Sequence, residues 1–155
     1  MKNLYFYDTP VGRIRIAEEE GAVTNLFFES EKELTGIKLN ETPVLRETYR
    51  QLLEYFDKTR KVFDIPIKLE GTEFQMRDWA ELLKIPYGET KSYGEIAKAL
   101  GIPKGSRAIG LANNRNPVSI IVPCHRVIGY DGKLVGFGGG LHIKEALLRL
   151  EGAIL

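Results

Sequence analysis

Cysteine and histidine are almost absent from this chain. Its 155 residues include one cysteine, Cys124, and two histidines. One cysteine cannot close an internal disulfide, so a reducing, cytoplasmic setting is the expectation. So few soft ligands also exclude the usual structural zinc sites, and no metal or cofactor is expected. No apolar run is long enough to span a bilayer, so no membrane partner is expected. The opening residues, "MKNLYFYDTPVGRIRIAEEE", have no signal-peptide core. The glycine patterns of phosphate loops and dinucleotide folds are missing too, which argues against nucleotide cofactors.

A large net charge is also lacking. The formal value is +1, but its distribution is uneven. Residues 1–70 carry 11 basic and 13 acidic side chains, residues 71–155 carry 11 and 8. Between Ser92 and Gly140 there are six basic residues (Lys98, Lys104, Arg107, Arg115, Arg126, Lys133) against Glu95 and Asp131. That surplus fits a nucleic-acid footprint and equally a solvated face.

What is present divides the chain near residue 70. Residues 4–7, 13–17 and 23–28 read as short strands with turns at "TPVG" and "EEEG". A polar stretch, "ESEKELTGIKLNE", follows. Thr42-Pro43 then reads as an N-cap with proline opening a helix through Leu45, Tyr49, Leu52, Leu53 and Phe56. "KVFDIPI" reads as a further strand. This predicts a small α/β domain over residues 1–70, an antiparallel sheet with a helix. Residues 71–155 read as mostly helical. Thr72 and Gln75 make a capping box ahead of a helix through Phe74, Trp79 and Leu82. "SYGEIAKAL" and "SRAIGLANN" are two short helices joined by a glycine-containing turn, the outline of a helix-turn-helix. "LHIKEALLRLEG" is a final helix ending at Gly152.

The chemistry centres on "NPVSIIVPCHRVIGYDGKLVGFGGG". A lone cysteine is most often a small buried hydrophobe. Here Pro123 fixes the local backbone, and His125 and Arg126 follow, a setting that favours thiolate. Adjacent residues in an extended segment face opposite ways, so a Cys124–His125 contact needs a turn or a bridging water. Glu151 lies in the last turn of a helix, where its charge opposes the dipole. It is either a surface residue or the partner of His125 in a nucleophile–base–orienter chain. Six of the twelve residues 129–140 are glycine. They form either a slack loop or a wall that lets backbone approach a flat ligand.

Three stretches, "IPYGETKSYGEIA", "RAIGLANNRNPVSIIVPCHRVIG" and "GFGGGLHIKEALLRLEG", together resemble the O6-alkylguanine-DNA alkyltransferases, also called methylated-DNA–protein-cysteine methyltransferases. The P-C-H-R-V match at residues 123–127 is the specific one, and the flanks match over residues 72–152. Residues 1–70 fit that family's N-terminal domain, ribonuclease-H-like in fold, in size and outline only. The resemblance implies a monomer acting on double-stranded DNA that contains O6-alkylguanine, with O4-alkylthymine as a further candidate. The damaged base would be flipped into a pocket, because the target atom lies inside the stack. An apolar strand before Pro123 and the glycine loop at 138–140 would wall that pocket. Cys124 would take the alkyl group, His125 would accept the thiol proton through a water, and Glu151 would orient His125. Asn116 would brace the turn. Tyr93 would contact both DNA and base, and Arg107 would fill the vacated place in the stack. Val127, Phe137, Gly138 and Gly139 would touch the substrate. Phe137 stands where the family often has tyrosine, and Gly138 where a small non-glycine residue is common, so pocket shape is what these departures affect.

Three rival readings follow from the same residues. A non-enzymatic protein that binds alkylated DNA and recruits repair factors would lack the cysteine. A cysteine hydrolase built on Cys124, His125 and Glu151 would turn over on esters or amides. A plain DNA-binding domain would carry an unreactive thiol.

Overall fold

The computed structural model describes residues 1–29 and 35–155. The chain divides into two compact units, Met1–Leu69 and Glu70–Leu155. Each has its own elements.

In the first unit, strands β1 (Lys2–Thr9), β2 (Gly12–Glu19) and β3 (Ala22–Phe28) form an antiparallel meander. The turn between β2 and β3 places Glu20 and Gly21 at positive φ, where glycine carries no penalty. A short strand β4 (Ile37–Leu39) pairs parallel to β1, so the sheet order is β3-β2-β1-β4. The sequence reading assigned no strand to that polar stretch, part of which (30–34) lies outside the described residues. Three residues with two of them exposed carry too little alternation to be seen. Helix α1 (Pro43–Phe56) starts behind Thr42 with proline at its first turn, as expected. It packs across β1, β2 and β3; Leu45, Leu52 and Tyr55 on the helix and Ile14, Ile16, Val23 and Leu26 on the sheet are all buried.

The predicted strand "KVFDIPI" is not one. Only Ile67 bridges to Val23, with Val23 N–H donating to Pro66 O and Lys68 N–H to Val23 O. Pro66 has no N–H to give to a ladder. Upstream, the Gln51 side chain on α1 holds both N–H and C=O of Asp64, which diverts the segment from pairing.

In the second unit, α2 (Glu73–Leu82) has the full Thr72–Gln75 capping box. Strand β5 (Lys91–Ser92) leads into α3 (Tyr93–Ala99), where Ser92 and Glu95 form a second box. Helix α4 (Ser106–Asn114) packs against α2 and α3. Its buried face is Ile109, Ala112 and Asn113; Arg107, Leu111 and Asn114 face outward at helical spacing. Residues 118–122 are not the expected strand. They are buried and folded in successive turns, with Ile120 at φ 72°. A full strand would place half of its side chains on a second face, and here all five are needed inside. A 3₁₀ turn, Cys124–Arg126, precedes β6 (Val127–Ile128), which pairs parallel to β5. Helix α5 (Leu141–Leu150) closes the unit, and Glu151 and Gly152 end it. Among the described residues no helix is long and apolar enough to cross a membrane.

Candidate active site

The site is assembled by three features of the chain. The first is a bracket made by Asn116. Its Nδ2 donates to Val122 O at 2.8 Å, and its Oδ1 accepts from Val118 N at 3.0 Å. One amide thus spans the coiled segment that delivers Pro123 and Cys124. The second is the 3₁₀ turn itself, which replaces the extended geometry that would part Cys124 from His125. The third is the β5–β6 pairing, which brings Ser92, and so Tyr93 after it, beside Ile128.

Within the turn, Cys124 is buried with 8% exposure and His125 has none. His125 Nε2 lies 2.7 Å from Glu151 Oε2. With that nitrogen protonated, the imidazole donates to the carboxylate and leaves the Nδ1 lone pair available. Nδ1 is buried and has no hydrogen-bond partner. Burial pushes the imidazole below its ordinary pKa; Glu151 opposes that effect, while Arg126 and Lys144 add to it. The ring is therefore neutral at neutral pH and able to take up a proton.

Glu151 is not a surface residue. It is the C-cap of α5, 6% exposed, and it serves several donors. Arg126 Nε donates to its Oε1 at 2.8 Å and Arg126 Nη2 to its Oε2 at 3.1 Å. Gly88 N–H donates to Oε1 at 3.3 Å from a residue at φ 82°. Arg126 also donates to Ile85 O at 2.7 Å. A forked guanidinium is suited to hold a carboxylate both charged and oriented. Arg126 was counted in the basic surplus, but its charge is spent inside, so the outward surplus is smaller than the sequence suggests.

Tyr93 caps the other side. Its hydroxyl donates to Val135 O at 2.7 Å. Its pKa is pushed up to about 12, chiefly by burial and then by the neighbouring Cys124. It remains a phenol, a donor. Gly136 sits at φ 60°, and a Cβ there would lie 3.5 Å from the Tyr93 hydroxyl. Tyr93, Ser106, Arg107, Gly110, Leu111, Asn114, Val135 and Gly136 line an open cavity of about 400 Å³.

The structure brings Cys124, His125, Glu151, Asn116 and Tyr93 into one neighbourhood and sets Arg107 on the cavity rim. That cavity lies on the α3–α4 face and is not lined by Cys124, His125 or Glu151. Of the residues expected to touch substrate, Val127 is fully buried, Phe137 half-buried, Gly138 exposed and Gly139 buried. The loop residues that line the cavity are Val135 and Gly136. Sequence reasoning also passed over Lys144. Its side chain has 0% exposure, and its Nζ donates to Val127 O at 2.5 Å, Val135 O at 2.9 Å and Gly136 O at 3.4 Å. The amine lies 5.7 Å from the Tyr93 ring centroid. Burial pushes its pKa down to about 8, against the effect of nearby Cys124. A signal existed: Lys144 falls on the same stripe of α5 as Ile143, Leu147 and Leu148.

Two family profiles match consecutive stretches of the chain. Residues 4–69 match the ribonuclease-like domain of 6-O-methylguanine DNA methyltransferase, and residues 73–153 match its DNA-binding domain. The methylated-DNA–protein-cysteine methyltransferase of Methanosarcina acetivorans is 52% identical over 150 residues, 95% of this chain and 96% of that protein. The protein of the same description from Mycobacterium tuberculosis is 48% identical, over 93% and 88% of the two chains. The crystal structure of Mycobacterium tuberculosis OGT in complex with DNA is similar with a TM-score of 0.92 at 46% identity, over 97% of this chain and 92% of that one.

Proposed function

The chain belongs to the 6-O-methylguanine DNA methyltransferase family, and from that premise we propose that it repairs DNA by moving the alkyl group of O6-alkylguanine onto its own Cys124. The observation that carries the mechanism is the buried Glu151–His125 pair, whose second ring nitrogen is left without a partner one residue from the only thiol.

In this reading, a water bridges Cys124 Sγ and His125 Nδ1. The thiol proton passes to Nδ1 while Nε2–H stays on Glu151, so the positive charge that forms on the ring is met by a carboxylate. Sγ attacks the alkyl carbon, the carbon–O6 bond breaks, and the electron pair leaves with guanine. Tyr93, held as a phenol, would turn its one O–H from Val135 O toward the departing base as the base gains charge. The charged Lys144 lies near enough to Cys124 to favour the thiolate. The product is a thioether with no group beside it able to cleave a carbon–sulfur bond, so each molecule acts once.

Recognition rests on α3, α4 and the turn between them, read as a helix-turn-helix. The outward face of α4, with Arg107, Leu111 and Asn114, would enter the minor groove, and Arg107 would occupy the place of the flipped base. The first unit is read as the ribonuclease-H-like domain of the family. Incubation with a duplex containing O6-methylguanine, followed by intact mass and peptide mapping, tests the proposal. One added methyl on Cys124, absent from Cys124→Ser, is the expected result. An unmodified protein with DNA bound would leave it a sensor.

A further inference from the structure

Asp78 on α2 has no exposure and, among the described residues, no cation paired with it. Its neighbour Arg77 donates instead to Leu100 O. Burial, and after it the negative charge of Glu81 one turn further along, pushes the Asp78 carboxyl up to about 7. Such a group is costly. An apolar residue of similar size would pack between two helices more cheaply than a buried carboxyl without a counter-charge.

The compensation comes from α4. With the Asn113 amide turned so that its NH2 faces the carboxyl, Nδ2 donates to Asp78 Oδ2 at 2.5 Å and to Ile109 O at 3.2 Å. The opposite orientation would set oxygen against oxygen, so the hydrogen bonds assign the amide. The adjacent residue repeats the link, since Trp79 Nε1 donates to Ala112 O at 2.9 Å. Two consecutive residues of α2 therefore grip two consecutive residues of α4. Both gripped residues belong to the buried face of α4, and Arg107, Leu111 and Asn114 project from the other. A hydrogen bond is directional where apolar packing is not. Fixing the rotation of α4 about its own axis at Asn113 fixes where Arg107 points, because the helix between them is continuous.

We propose that Asp78 and Asn113 are a positioning pair that sets the rotation of α4 for duplex DNA and takes no part in the transfer chemistry. The proposal rests on the functional reading above. Neither residue lines the cavity, and neither touches Cys124, His125 or Glu151 by any bond described above.

The test compares single-turnover rates with two substrates, a duplex containing O6-methylguanine and free O6-benzylguanine, which needs no groove. Asp78→Ala and Asn113→Ala should lose about tenfold on the duplex, the scale of a buried hydrogen bond left half-made, and less than about twofold on the free base. Asp78→Asn keeps an acceptor for Asn113 and should stay close to wild type on both. An equal loss on both substrates, an unchanged duplex rate, or an Asp78→Asn variant as poor as Asp78→Ala would each overturn the pair. If Asp78→Ala does not fold, Asn113→Ala and Asp78→Asn decide by the same ratio. A wild-type protein that accepts no alkyl group from either substrate would overturn the functional reading instead, which separates the two failures.

Discussion

At the scale of single residues the proposed transfer depends on three buried charged side chains, Glu151, Arg126 and Lys144, and one thiol. Glu151 is the most constrained. From sequence, glutamine at 151 is expected to slow transfer and leave the fold intact, because it preserves size and shape. The structure changes the second half of that expectation. Arg126 makes two bonds to the carboxylate and is itself buried, so Glu151→Gln strands a guanidinium. Breaking a buried ion pair costs on the order of 3–5 kcal/mol. The variant should unfold at lower temperature as well as react slowly. Its imidazole loses the influence that opposes burial, so the ring becomes a weaker base and less thiolate forms at neutral pH. Rate should partly return as pH rises toward the ordinary thiol range, about 8.5. Superimposable rate–pH profiles for the two proteins would remove Glu151 from the chemistry. Lys144→Met tests the opposite charge. It should raise the Cys124 pKa and slow transfer about tenfold at pH 7, roughly one pKa unit. In the wild-type protein this help should fade above pH about 8, where the amine itself loses its proton. Thiol titration by absorbance of the thiolate checks both, and an unshifted Cys124 would contradict the role given to Lys144.

At the scale of elements, legibility followed the strength of local rules. The capping box at Thr72, the proline at the start of α1 and the glycine after α5 were all readable, because each answers an unpaired backbone group within four residues. Helix α3 was readable for the same reason, through its Ser92–Glu95 box, whereas α4 has no side-chain cap and was read from its apolar spacing. What failed were the segments whose conformation is set from elsewhere in the chain. "KVFDIPI" has a strand's composition, but Gln51 and Pro66 govern its bonding. Residues 118–122 have a strand's composition too, but Asn116 folds them back. Lys144 and Asp78 look like surface charges in the sequence, and only the packing of α5 and α2 puts them inside. The prediction proper to this scale concerns α4. Arg107→Ala should slow repair in duplex DNA about tenfold or more while leaving reaction with free O6-benzylguanine nearly unchanged. Equal losses on both would place Arg107 in the pocket or in folding rather than in the base stack.

At the scale of the whole molecule, the near-zero formal charge of +1 predicts restrained electrostatics. The second unit carries the basic surplus, and part of it, Arg126 and Lys144, is internal. Few phosphates can then be neutralised, and DNA affinity should fall with salt along a shallow slope. One thiol also fixes the capacity of the molecule. Nothing in the site offers a second acceptor, and a thioether is not reversed by histidine, carboxylate or water. The most direct test is a titration of lesions against protein. Increasing amounts of O6-methylguanine duplex are added to a fixed amount of protein, and repaired lesions are counted at completion. The account predicts a plateau at one repaired lesion per molecule, with every repaired lesion matched by one methyl on Cys124. Continued repair beyond that plateau, or repair without modified Cys124, would contradict it.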